Sequence, residues 1–136
     1  MGYKYFTPFF SKKSRVHEYV ERVGWSHIYL PSVVVAEMLR GRIDFALKAT
    51  LEQMQNAHQQ MMDTLRYLDD FKIVVFDDEC AEAMGTLQKK LSTKRRYNDV
   101  MIASVAIAKS MILVTRNQKD FQDILPQNQL VNWVDK

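Results

Sequence analysis

The 136-residue sequence holds a single cysteine, Cys80, and so lacks the means to close an internal disulfide or to build a thiolate metal cluster by itself. A reducing, cytoplasmic setting is the expectation that follows. Long apolar runs are also missing: the longest strongly apolar stretch, Val100 to Ala108, falls far short of the ~20 residues a membrane helix needs. Met1 to Phe10 lacks the charged start, apolar stretch and small-residue cleavage site of a secretory signal. Three prolines and four glycines punctuate the chain, and no low-complexity linker or internal repeat divides it. These absences exclude a stapled secreted domain, a membrane span and a repeat array.

What is present is an ordinary globular balance, with 47% apolar and 26% charged residues. The length suits one domain over residues 1–136 with a core of its own. A net charge of +3 and a pI near 9.0 are compatible with a polyanionic partner without requiring one.

The spacing of Val16, Tyr19, Val20 and Val23 predicts a helix over Lys13 to Val23 that stops at Gly24. His27 to Leu30 reads as a short strand closed by Pro31, after which Ser32 can cap a helix running to about Arg40, with Gly41 as terminator. From Asp44 to Asp70, Leu47, Leu51, Met54, His58, Met61, Leu65 and Leu68 recur in steps of four and three along one long helix, a stripe that wants a helical neighbour. Core packing within a helical hairpin is the default for Met54, Met61 and Met62, and contact with a partner is the sharper reading. Lys72 to Phe76 is a β-branched strand, followed by acids in the first turn of a helix reaching about Leu91. A helix over Asp99 to Lys109, a strand over Met111 to Thr115, a short helix over Gln118 to Ile124 and a last strand over Leu130 to Val134 complete the reading. Strands and helices alternating in this way imply βαβ units: an α/β fold with a mostly parallel sheet, ligands lying outside the carboxyl ends of its strands.

Three acids suit that edge. Asp99 opens a helix whose Ala103, Ser104, Ala106 and Ala108 keep it thin enough to pack on a sheet. Asp120 follows a strand and lies near Thr115 and Asn117, and Glu37 follows another strand by one or two helical turns. Carboxylates, a hydroxyl and an amide are hard oxygen donors that suit Mg²⁺ or Mn²⁺ rather than zinc, and phosphodiester hydrolysis is the natural reaction for such a site. Taken alone, acids at helix starts more often serve as caps. Asp77-Asp78 has that ordinary reading too. Lys89, Lys90, Lys94, Arg95 and Arg96 flank Asp99 and either grip an RNA backbone or form a solvated loop. His17, His27 and His58 lack the spacing of zinc ligands and read as packing or interface residues.

Asn98-Asp99-Val100-Met101-Ile102-Ala103-Ser104 followed by Ile112-Leu113-Val114-Thr115-Arg116-Asn117-Gln118-Lys119-Asp120-Phe121 resembles the C-terminal half of PIN-domain ribonucleases of the VapC toxin type. Val33 to Gly41 is similar to the segment that carries their second acid, and Trp133 sits where they often end. The resemblance covers about Ser14 to Val134. It implies a three-layer PIN-like fold with a long helical hairpin and endonucleolytic RNA cleavage dependent on Mg²⁺ or Mn²⁺. It also implies homodimers and inhibition by a small antitoxin protein. Carried over by position, the metal-binding and catalytic acids are Glu37, Asp99 and Asp120, with Thr115 and Asn117 supporting them.

Members of this family usually begin with an apolar strand ending in Asp-Thr, whose aspartate is a central metal ligand. Here no aspartate precedes Asp44, and Phe6-Thr7 is the nearest counterpart. Residues 1–13 therefore read as atypical: the first strand is missing, replaced or rerouted, because Lys4 would bring an ammonium among apolar neighbours and Pro8 cannot donate to a ladder. The gap would be filled by a shifted strand or by one exchanged with a second copy. The alternative function that follows is a catalytically impaired module that binds RNA or protein.

Overall fold

A computed structural model describes the backbone of residues 5–6, 14–91 and 96–133, with side chains described from Glu18 onward. Five short strands lie in the order β3-β2-β1-β4-β5, and every neighbouring pair is parallel. They are β1 (Tyr5–Phe6), β2 (Ile28–Pro31), β3 (Lys72–Val74), β4 (Ile112–Val114) and β5 (Leu130–Val131). Parallel strands need crossovers, and the helices supply them: α1 (Ser14–Val23), α2 (Ser32–Lys48), α3 (Leu51–Asp69), α4 (Asp78–Lys90) and α5 (Tyr97–Lys109). On one face of the sheet, Val20 of α1 packs with Ile28, Val114 and Trp133. On the other, residues of α2, α4 and α5 surround Leu113 and Leu130. This is the expected three-layer α/β arrangement.

The first strand requires a correction. Tyr5–Phe6 is the central strand, with Tyr5 opposite Ile28 and Ile112, and Phe6 opposite Tyr29 and Leu113. The backbone groups of two aromatic residues are enough to bridge β2 and β4, so the strand comes from this chain and none has to be borrowed from a second copy. Lys4, Thr7 and Pro8, on which the contrary expectation rested, lie outside the described residues.

Gly24 ends α1 as its sequence position implied. Its φ of 91° and ψ of 136° are poorly accessible to residues bearing a Cβ, and its N–H donates to Val20 O at 2.8 Å. Gly24→Ala is expected to destabilise the fold by about 1–3 kcal/mol in a denaturant titration, since an alanine must either strain or reopen the turn. Gly41, by contrast, does not end α2. The helix continues through it to Lys48, because an internal glycine costs only about 1 kcal/mol and α2 recovers more by packing on α3. The single long helix expected over Asp44 to Asp70 is accordingly two helices, broken at Ala49-Thr50. Small residues, Ala46 and Ala57, are buried in the hairpin. His58 Nε2 lies 3.1 Å from Ala46 O, a carbonyl in the last turn of α2, and donates to it; the exposed His58 ring thus ties the two helices of the hairpin together.

Two further expectations shift. Ser32 is the first residue of α2, and its Oγ accepts from Phe76 N–H at 3.0 Å; it ties the exit of β3 to the start of α2 and does not cap the helix. The buried residues of α3 are Ala57, Thr64 and Leu68, whereas Leu51, Met54, Met62 and Leu65 are exposed. Met54 and Met62 therefore do not form the core of the hairpin, and Met61 is half-buried. The helix expected after β4 is a single 3₁₀ turn, Gln118–Asp120, followed by irregular turns.

Asp77 caps α4, its Oδ1 accepting from Cys80 N–H at 3.2 Å, and Lys109 at the end of α5 donates to both Asp77 and Glu79. The Lys109 ammonium, and then the Cys80 N–H, hold the Asp77 carboxyl down at about 2, and Lys109 is raised in return. A depressed carboxylate contributes stability that is present above its unfolded value near 4 and disappears as pH falls through about 2. Asp77→Asn keeps the capping acceptor and loses only the charge, so it should lower Tm by no more than about 2 °C at neutral pH, and the difference from wild type should fade as pH falls through about 2 in thermal melts. Buried Cys80 is pushed up by desolvation and stays a thiol.

Candidate active site

A cavity of about 360 Å³ opens at the carboxyl edge of the sheet. Its position follows from chain direction. The helix after β2 and the turn after β4 both leave from that edge, and α5, which runs into parallel β4, begins there. Glu37 comes from the second turn of α2, Asp99 from the first turn of α5, and Thr115 and Asn117 from the exit of β4. Val34, Ile102 and Phe121, all buried, form its apolar lining. The small side chains Ala103, Ser104 and Ala106 are fully buried, as expected for a helix lying close on a sheet, and the Ser104 hydroxyl donates a hydrogen bond to Val100 O at 2.6 Å.

Thr115 is 4% exposed, and its environment is fixed. Its N–H donates to Val131 O at 2.9 Å, and its Oγ1 accepts from Asn117 N–H at 3.1 Å. The hydroxyl thus folds the turn that turns Asn117 toward the cavity. Asp99, at the positive end of the α5 dipole, is favoured as an anion.

The structure brings together four of the five residues expected at the catalytic centre: Glu37, Asp99, Thr115 and Asn117. Asp120 does not line the cavity. It ends the adjoining 3₁₀ turn, one residue before Phe121, which does. Of the five basic residues expected either to grip RNA or to be solvated, Arg96 lines the cavity, Lys89 and Lys90 are exposed in the last turn of α4 and do not line it, and Lys94 and Arg95 lie outside the described residues. Arg116 also lines it; sequence reasoning gave it no role, although it stands between Thr115 and Asn117.

The donor set is the right class for Mg²⁺ or Mn²⁺, being wholly oxygen and including two carboxylates. It is not a rich one. Among the described residues no three His, Cys, Asp or Glu side chains are grouped closely enough to hold a metal ion. Arg96 and Arg116 in the same cavity oppose a cation and favour a phosphate.

Comparison with known proteins identifies the family and the fold. The sequence profile of the PIN domain matches residues 9–124. Ribonuclease VapC2 of Rickettsia felis is 33% identical over 109 residues, which are 78% of this chain and 74% of that protein. A VapBC2 structure from Rickettsia felis, bound to a promoter DNA fragment, superposes with a TM-score of 0.65 at 29% identity, covering 89% of this chain and 86% of that one. The fold is shared as well with a DNA-bound VapBC structure from Salmonella typhimurium, with a TM-score of 0.76, 18% identity and coverage of 96% and 98%. No helix among the described residues is long and apolar enough to cross a membrane. Profile, relative and fold together establish that this chain belongs to the PIN-domain family and is of the VapC toxin type.

Proposed function

We propose that the chain is a metal-dependent endoribonuclease of a toxin–antitoxin pair, hydrolysing RNA phosphodiester bonds. The observation that carries this reading is the convergence of Glu37 and Asp99 with Thr115 and Asn117 in one cavity of a VapC-type chain. Glu37 and Asp99 would hold Mg²⁺ or Mn²⁺, with Asp120 contributing a carboxylate from the neighbouring turn and Thr115 and Asn117 supporting them. Chemistry supplied by such an ion when bound is acidification of a water and stabilisation of charge on a phosphate. Arg96, with Lys94 and Arg95 beside it in sequence, binds RNA phosphates and orients the strand across the two carboxylates. The protein acts in the cytoplasm, as a homodimer neutralised by an antitoxin protein. Exposed apolar residues on the hairpin, Leu47, Leu51, Met54 and Met62, support association with protein partners.

Glu37→Gln should reduce cleavage of a fluorogenic single-stranded RNA on the order of a hundredfold at saturating Mn²⁺. Unchanged cleavage by this variant would remove Glu37 from the site. A second reading, a PIN-fold module that binds RNA or a partner without cutting, is favoured by one observation: no aspartate precedes Asp44, so none ends the central strand β1. Under that reading, filter binding retains RNA that stays intact at every Mn²⁺ concentration.

A further inference from the structure

The segment between β4 and β5 encloses a second cleft, of about 390 Å³, lined by Gln118, Gln122, Leu125, Gln127 and Leu130. Leu125 and Leu130 are buried, at 4% and 8% exposure, and give it an apolar base. Among the described residues, no hydrogen bond engages the side-chain amides of Gln118, Gln122 or Gln127. Gln129 differs: it donates to Ala106 O at 2.9 Å and Met111 O at 3.0 Å, so its amide is committed to holding the segment in place.

Three uncommitted amides over an apolar base suit a flat ligand with paired donors and acceptors on its edge. Among the described residues no charged one lines the cleft, so a backbone phosphate is not what it fits. Its place completes the argument. Asn117 and Phe121 line the acidic cavity, and Gln118 and Gln122, each the next residue along, line the cleft. A strand with a phosphate in the first cavity carries a neighbouring base toward the second.

We propose that this glutamine-lined cleft takes an unpaired nucleobase of the RNA strand, purine or pyrimidine alike, beside the acidic cavity. A glutamine amide carries one acceptor and two donors and pairs in bidentate fashion with N6 and N7 of adenine or with N3–H and O4 of uracil, edges that single-stranded RNA presents freely. The inference rests on the proposed RNA-directed function of the acidic cavity and extends it to how a base beside the phosphate is held.

Fluorescence anisotropy of a short labelled oligo-A RNA and of an abasic ribose-phosphate strand of the same length, with Ca²⁺ in place of Mn²⁺ to slow cleavage, tests it on the full chain. The wild type is expected to prefer the base-bearing strand on the order of tenfold. Gln118→Leu and Gln122→Leu should bring that ratio close to one while leaving binding of the abasic strand unchanged. Gln122 is exposed, so its replacement does not endanger the fold. Arg96→Ala should weaken both strands alike and keep the ratio. Equal binding of the two strands by the wild type overturns the proposal, and so does a ratio that survives both glutamine variants, the result expected of a cleft that serves a protein partner. Either result leaves the RNA-directed function standing. Failure to bind either strand overturns both.

Discussion

Asp99→Asn is expected to weaken Mn²⁺ binding and RNA cleavage each on the order of a hundredfold, with the fold intact. The amide keeps the shape of the side chain and removes the charge. Among the described residues Asp99 is one of two carboxylates lining the cavity, and Arg96 and Arg116 already oppose a cation there, so little remains to hold an ion once that charge is gone. The variant loses its favourable interaction with the α5 dipole, which costs about 0.3–1 kcal/mol and moves Tm by only a few degrees. Asp120→Asn should have a smaller effect, about tenfold, because its turn adjoins the cavity without lining it. Calorimetric Mn²⁺ titration reads both variants. Equal affinity in Asp99→Asn and wild type would place the metal elsewhere.

The largest expected loss of stability is that of Leu113→Ala, about 3–4 kcal/mol in a denaturant titration. Leu113 is fully buried, in a strand bonded on both sides, opposite Phe6 of β1 and Leu130 of β5. Removing its side chain leaves a cavity that neither neighbouring strand can close without breaking its own ladder. Against a total stability of about 5–15 kcal/mol this is a large fraction, so the variant should also show a steep fall in Tm. A change under about 1 kcal/mol would mean that β4 is not the packed centre of the sheet.

The layers were legible because they follow from patterns with one dominant cause. Ile112 to Val114 could only be a buried strand, and the thin face of α5 could only pack on a sheet. Gly24 stopped a helix because its backbone angle needs a glycine, whereas Gly41 had no such demand, and packing on α3 overrode its weak helix propensity. The apolar heptad-like stripe misled for a related reason. Periodicity reports that residues share a helix face, and it does not say whether this chain covers that face; Leu51 and Met54 remain exposed. The central strand was missed because Lys4 and Pro8 were weighed as strand residues, while the described pairing involves Tyr5 and Phe6 alone.

At the site, Glu37, Asp99, Thr115 and Asn117 were legible since each lies within two turns of a strand end or at a helix start, and a parallel sheet sends all such positions to one edge. Arg116 was overlooked because a lone arginine in a turn has an ordinary solvated reading. Only the turn held by Thr115 Oγ1 brings its neighbours to the cavity. Asp120 sits one residue short of the lining, a distinction that spacing cannot resolve when the segment is a 3₁₀ turn and not the expected helix.

The central claim is that the acidic cavity cuts RNA with a bound divalent ion. Its most direct test is to incubate purified full-length chain, free of any antitoxin, with end-labelled single-stranded RNA across a Mn²⁺ titration and in chelator, resolving the products on a gel. The account predicts internal cleavage that rises with Mn²⁺, stops on chelation and is nearly absent in Asp99→Asn. RNA that is bound yet stays whole at every Mn²⁺ concentration, or cleavage that persists undiminished in chelator, would contradict it.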